Sequence, residues 1–63
     1  MQIKQLRKKA GMSQKQLADR IGYKHQSAIA MIETGQRKIP ADKIPILAKV
    51  LDCKISDLFE KIS

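Results

Sequence analysis

Between Ile3 and Ala10 the chain repeats its apolar positions at intervals of three and four: Ile3, Leu6 and Ala10 share one helical face, and Arg7 lies on that face with them. The spacing predicts a helix over residues 2–10, ended by Gly11 as a C-terminal glycine. Met12-Ser13-Gln14-Lys15-Gln16-Leu17 then opens a second helix. Ser13 is its N-cap, Gln16 three residues on completes a capping box, and Met12 and Leu17 have the spacing of a hydrophobic staple. Leu17, Ala18 and Ile21 form the inner face, and Gly22 is the stop. A third helix is predicted to start near His25, with His25 as its N-cap. It turns Ala28, Ile29 and Ile32 inward and ends at Thr34-Gly35. A basic loop from Gln36 to Pro40 follows. Asp42 is expected to cap a fourth helix with Ile44, Leu47, Ala48 and Leu51 inside, and Pro45 at its third position, where a missing N–H is not needed. Asp52-Cys53-Lys54 breaks the pattern. Ile55, Leu58, Phe59 and Ile62 define a short fifth helix that starts at Lys54 without a capping hydroxyl. No segment alternates with period two, so the expected class is all-α.

The 63 residues bound one small domain over residues 1–63, with marginal stability: a chain this short buries only about 60% of its unfolded surface, and a partner subunit would add to that. With Tyr23 and Phe59 the only aromatic residues, the core is expected to be Ile, Leu, Val, Met and Ala. Cys53 has no second cysteine to pair with and reads as a small, buried or half-buried hydrophobe. No N-terminal apolar run resembles a signal peptide and no segment is long enough to span a bilayer, which makes a cytoplasmic location the expectation. One His, one Cys, no Ser/His/Asp set, no carboxylate cluster and no glycine-rich phosphate loop argue against an enzyme, a metal centre or a cofactor.

Charge changes the picture. The formal net charge is +7, and residues 1–38 carry all of it, with nine basic residues against Asp19 and Glu33. Residues 39–63 balance Lys43, Lys49, Lys54 and Lys61 against Asp42, Asp52, Asp57 and Glu60. A merely solubilising surface has no reason to segregate charge in this way, whereas a polyanionic partner facing the N-terminal part does. The second and third helices lie in that basic part, each about eight residues long and joined by a short turn containing Gly22. That is the pattern of a helix-turn-helix, whose second helix enters the DNA major groove.

Nearly the whole chain also resembles the phage repressor/Cro-type, or XRE-like, helix-turn-helix family. The resemblance is carried by Ile3-Lys4-Gln5-Leu6-Arg7, by Gly11-Met12-Ser13-Gln14-Lys15-Gln16-Leu17-Ala18 with Gly22, and by Ile29-Ala30-Met31-Ile32-Glu33-Thr34-Gly35, Pro40 and Leu47-Ala48-Lys49-Val50-Leu51. It implies a compact five-helix, lambda-repressor-like domain with a central helix-turn-helix. It further implies a transcriptional regulator, typically a repressor, that binds double-stranded operator DNA as a homodimer. Two departures stand out: the turn after Gly22 is one residue longer than the commonest form, and His25 stands where Ser or Thr is usual.

The resemblance makes Gln26, Ser27, Ala30 and Met31 the base-reading positions. Gln26 has the chemistry to bond adenine in a bidentate pair, and Ala30 and Met31 suit thymine methyl groups. Backbone phosphates are expected to meet Ser13 and Gln14 at the start of the second helix, with the Gln14 amide aimed outward, and Lys24, His25, Gln36, Arg37 and Lys38 on either side of the third. Arg7 and Glu33, whose equivalents pair in the family, are expected to form a partly buried structural ion pair. Ile55, Leu58, Phe59 and Ile62 offer more apolar area than the core needs and form the expected dimer surface. No small-molecule effector is evident, and control is expected from concentration, dimerisation or another protein, in a bacterial or phage setting and on the nucleoid when bound. The alternative is an antitoxin-like or protein-interaction module on the same fold, favoured by the apolar Ala30-Met31 pair. A basic amphipathic membrane binder fits less well, because the cations are spread over several short helices whose apolar faces the core requires.

Overall fold

The computed structural model describes residues 3–59. Its helices are α1 (Ile3–Lys9), α2 (Gln14–Ile21), α3 (Ser27–Glu33), α4 (Ile44–Val50) and α5 (Ile55–Phe59), and a 3₁₀ turn over Ala41–Lys43 runs directly into α4. The described residues contain no strand. None of their helices is long and apolar enough to cross a membrane. The architecture is all-α with five helices, as the periodicity requires.

The helices close on one aliphatic cluster of Ile3, Leu17, Ala18, Ile21, Ile29, Ile32, Ile39, Leu47, Ala48, Leu51 and Leu58. Among the described residues every large side chain that is fully buried is Ile or Leu, each stabilising the fold by about 1.5–3 kcal/mol through removal from water. α2 sits centrally, packing against both α3 and α4, and α4 in turn holds α5. Met12 packs against this cluster, as the staple with buried Leu17 requires.

The helix ends explain how so short a chain makes such tight corners. After α1, the Met12 N–H donates to the Arg7 carbonyl at 3.1 Å and the Gly11 N–H to the Lys8 carbonyl at 3.0 Å, with Gly11 left-handed at φ +74°. After α3, Gln36 and Gly35 repeat the same pair of bonds onto Met31 and Ile32. After α4, Cys53 and Asp52 do so onto Ala48 and Lys49, and there the left-handed residue is Asp52, at φ +54° the one described non-glycine with positive φ.

Several expectations need correction. Ala10 is exposed, because the helical phase ends at Lys9 and the chain has already begun its turn. α3 begins at Ser27 with Gln26 in the N-cap position, not at His25. His25 only starts a preceding turn, its carbonyl accepting from the Ala28 N–H at 3.3 Å. Asp42 caps nothing: it lies inside the 3₁₀ turn, which the Lys43 N–H closes onto the Pro40 carbonyl at 2.9 Å. Pro45 is consequently the second residue of α4 rather than the third, still within the turn that has no use for its N–H. Ile39, assigned to a basic loop, is buried and pins that loop to the core. At α5, the Lys54 backbone N–H finds the Asp57 carboxylate at 3.0 Å, which serves where a hydroxyl is missing.

Candidate nucleic-acid interface

The α2–α3 unit is locked from behind by one polar network. The Arg7 guanidinium donates from Nε to Glu33 Oε2 at 2.6 Å and from Nη2 to Oε1 at 3.3 Å, and its Nη1 donates to the Met12 carbonyl at 2.8 Å. The two side chains are only 9% and 3% exposed. This is the expected ion pair, and it ties α1, the start of α2 and the end of α3 together. Burial alone pushes the Glu33 carboxyl up. Hydrogen bonds from Arg7 and Gln14, with the nearby charges of Arg7 and Lys4, outweigh burial and hold it below the ordinary value of 4.5. Removing one partner strands a buried charge, which is worse than losing both.

Gln14 belongs to the same network. Its Nε2 donates to Glu33 Oε1 at 3.1 Å, so the amide is turned inward and not aimed outward. Ser13 is engaged as well: its Oγ accepts from the Gln16 N–H at 3.1 Å, and its own N–H donates to Gln16 Oε1 at 2.8 Å. The capping box leaves the backbone N–H groups of Gln14 and Lys15 open at the start of α2.

The outer face of α3 is uncovered. Gln26 and Ser27 are exposed, Ala30 is half-buried, Met31 is 42% exposed and Thr34 is exposed. On the inner face Ala28, Ile29 and Ile32 are all buried. The Thr34 hydroxyl donates to the backbone carbonyls of Ala30 and Met31 at 3.1 and 3.2 Å, which spends its proton. Gln26 makes no capping bond with its side chain. This face thus carries the polar side chains of Gln26 and Ser27 at its start and the apolar surface of Ala30 and Met31 further along. Lys24 and His25 before the helix, and Gln36, Arg37 and Lys38 after it, are all exposed. With Arg7 neutralised by Glu33, the remaining cations of the first 38 residues stand at the surface with Asp19 as their one acidic neighbour in that stretch.

One feature of this surface escaped the sequence. The Tyr23 ring, half-buried against the core, has the Arg37 guanidinium 5.6 Å and the Lys43 ammonium 5.4 Å from its centroid. Its hydroxyl is buried without a hydrogen-bond partner among the described residues. The only signal available was an aromatic residue just after a helix-stop glycine, in a chain with almost no aromatics.

Away from this surface, Leu58 is fully buried, so it is core and not dimer surface, whereas Ile55 and Phe59 are 50% and 48% exposed. Ile62, the fourth residue expected there, lies outside the described residues. Cys53 is half-buried beside α1 and α5. Burial pushes its thiol above the ordinary value, and the carboxylates of Asp57 and Asp52 push it further.

The geometry is that of two short helices joined by a glycine turn, the second presenting a bare face between cationic flanks. The family model described as helix-turn-helix matches residues 3–58. No curated protein matches the chain. The chain belongs to the helix-turn-helix family of DNA-binding transcription regulators, on its phage repressor/Cro-type, XRE-like side.

Proposed function

We propose that residues 1–63 act as one sequence-specific double-stranded DNA-binding domain, a repressor that seats α3 in the major groove of an operator. The observation that carries this reading is the uncovered outer face of α3, flanked by Lys24 and His25 at one end and Gln36, Arg37 and Lys38 at the other. Gln26 and Ser27 hydrogen-bond base edges, and Ala30 and Met31 pack on thymine methyl groups. The flanking residues grip phosphates together with the start of α2, where Ser13 and Gln14 contribute through the open first-turn N–H groups and not through a free Gln14 amide. Two copies, meeting through exposed Ile55 and Phe59, hold their α3 helices about 34 Å apart on a roughly palindromic site. The protein works in the cytoplasm, with no cofactor and no chemistry of its own.

Selection of bound duplexes from a random pool tests this reading. A recovered motif that changes at one position when Gln26→Ala is used supports it, and an unchanged motif moves the readout elsewhere. The exposed Met31 beside Ala30 favours one second reading, an antitoxin-like module that binds another protein. Salt separates the two: phosphate contacts give log K a slope of about −0.9 per contact against log salt, while an apolar protein contact gives almost none.

A further inference from the structure

We infer that Tyr23, Arg37 and Lys43 form a phosphate clamp beside the turn between α2 and α3. In it Lys43 is a DNA-backbone contact and Tyr23 is the residue that positions both cations. The inference rests on the DNA-binding reading above and adds two residues to it. Lys43 belongs to the charge-balanced part of the sequence and attracts no attention there.

Three segments converge at this point. Tyr23 directly follows the stop of α2, Arg37 lies in the loop after α3, and Lys43 ends the 3₁₀ turn before α4. The Lys43 side chain reaches back over the α2–α3 corner so closely that a Cβ on Gly22 would lie 3.2 Å from its Nζ. The two cations thus draw near one ring in spite of their mutual repulsion. The negative face of an aromatic ring attracts each of them, and the core fixes the ring. Among the described residues neither cation enters a salt bridge, because the one such bridge is Arg7–Glu33. Neither donates a hydrogen bond there either. Their charge and their N–H donors are therefore held in place and left unspent. An anion with several acceptor oxygens completes the arrangement, and the backbone phosphate beside a groove-seated α3 is the anion this position meets.

Variants separate positioning from bulk charge. Binding to a fluorescent duplex of random sequence is measured across about 50–200 mM salt for wild type, Lys43→Gln, Lys49→Gln, Tyr23→Phe and Tyr23→Leu, with circular dichroism to confirm folding. Lys43→Gln is expected to flatten the slope by about 0.9, whereas Lys49→Gln, with the same loss of charge on exposed α4 surface, leaves it at the wild-type value. Tyr23→Phe keeps the ring, removes only an unpartnered hydroxyl and behaves as wild type. Tyr23→Leu keeps the net charge yet flattens the slope, an effect that a purely structural tyrosine would not produce. Equal slopes for Lys43→Gln and Lys49→Gln overturn the clamp even if Tyr23→Leu does not fold. Wild-type protein that binds duplex without salt dependence, or not at all, overturns the DNA-binding reading itself.

Discussion

The two faces of α3 share one backbone of seven residues and have opposite duties. The inner face, Ala28, Ile29 and Ile32, is sealed in the aliphatic core. The outer face, Ser27, Ala30, Met31 and Thr34, is exposed or half-buried. Glu33 stands at the seam, held by Arg7 and Gln14. A helix this short has little intrinsic stability. It is therefore the inner face and the seam that keep α3 in place, and on the proposed reading the outer face is free to vary with the DNA sequence. Stability and recognition are separable to that extent, and substitutions can break or sharpen the division.

The largest effect belongs to the inner face. Ile29→Ala should cost about 4 kcal/mol. That is much of the total of about 3–9 kcal/mol available to a chain this size. Urea denaturation should find the variant largely unfolded, and DNA binding should be lost with the fold. At the seam, Arg7→Ala or Glu33→Ala should each cost about 3 kcal/mol, and the double variant clearly less than the two added together. Additive losses would mean that the pair does not couple α1 to α3. Because the folded Glu33 carboxyl titrates below its ordinary value of 4.5, the unfolded chain binds the proton more readily than the folded one. The pair's contribution is thus fully present above that value and fades as pH falls through the lower, folded one. Acid unfolding of Glu33→Gln should lack this component.

On the outer face the expectation reverses. Gln26→Ala should leave the melting temperature within error and reduce discrimination at one base pair by about 1–3 kcal/mol. A matching loss of stability would show that Gln26 belongs to the scaffold. The smallest effect sharpens the division from the other side. Asp52→Gly relieves a left-handed aspartate in the turn after α4 and should add about 0.5 kcal/mol to stability, leaving the DNA affinity of the folded protein unchanged.

Much of this was legible in the residues. The aliphatic spacings mark the inner faces of α2, α3 and α4 because a buried helical face must repeat near 3.6 residues. The capping box at Ser13 and the glycine stops were readable because each answers a purely local need for hydrogen bonds. The Arg7–Glu33 pair came from family resemblance. What failed depends on contacts made across the fold. Periodicity marks Ile55, Leu58 and Phe59 alike, yet only Leu58 of the three is buried in the core. Ile39 sits among polar and basic residues, and its burial follows from the path of the loop back over the cluster. Gln14 has two attractive partners, an anion outside and Glu33 inside, and only the packing of α2 on α3 decides between them. The approach of Arg37 and Lys43 to Tyr23 spans segments twenty residues apart at the far end, which no local pattern encodes.

The most direct test of the account uses two of its methionines. Met31 is exposed on the outer face of α3, and Met12 is packed against the core. With methionine methyl groups labelled for NMR, a selected operator duplex should shift and broaden the Met31 methyl resonance strongly and leave that of Met12 close to its free position. A complex that forms with Met31 unmoved would contradict the claim that the outer face of α3 meets the bases.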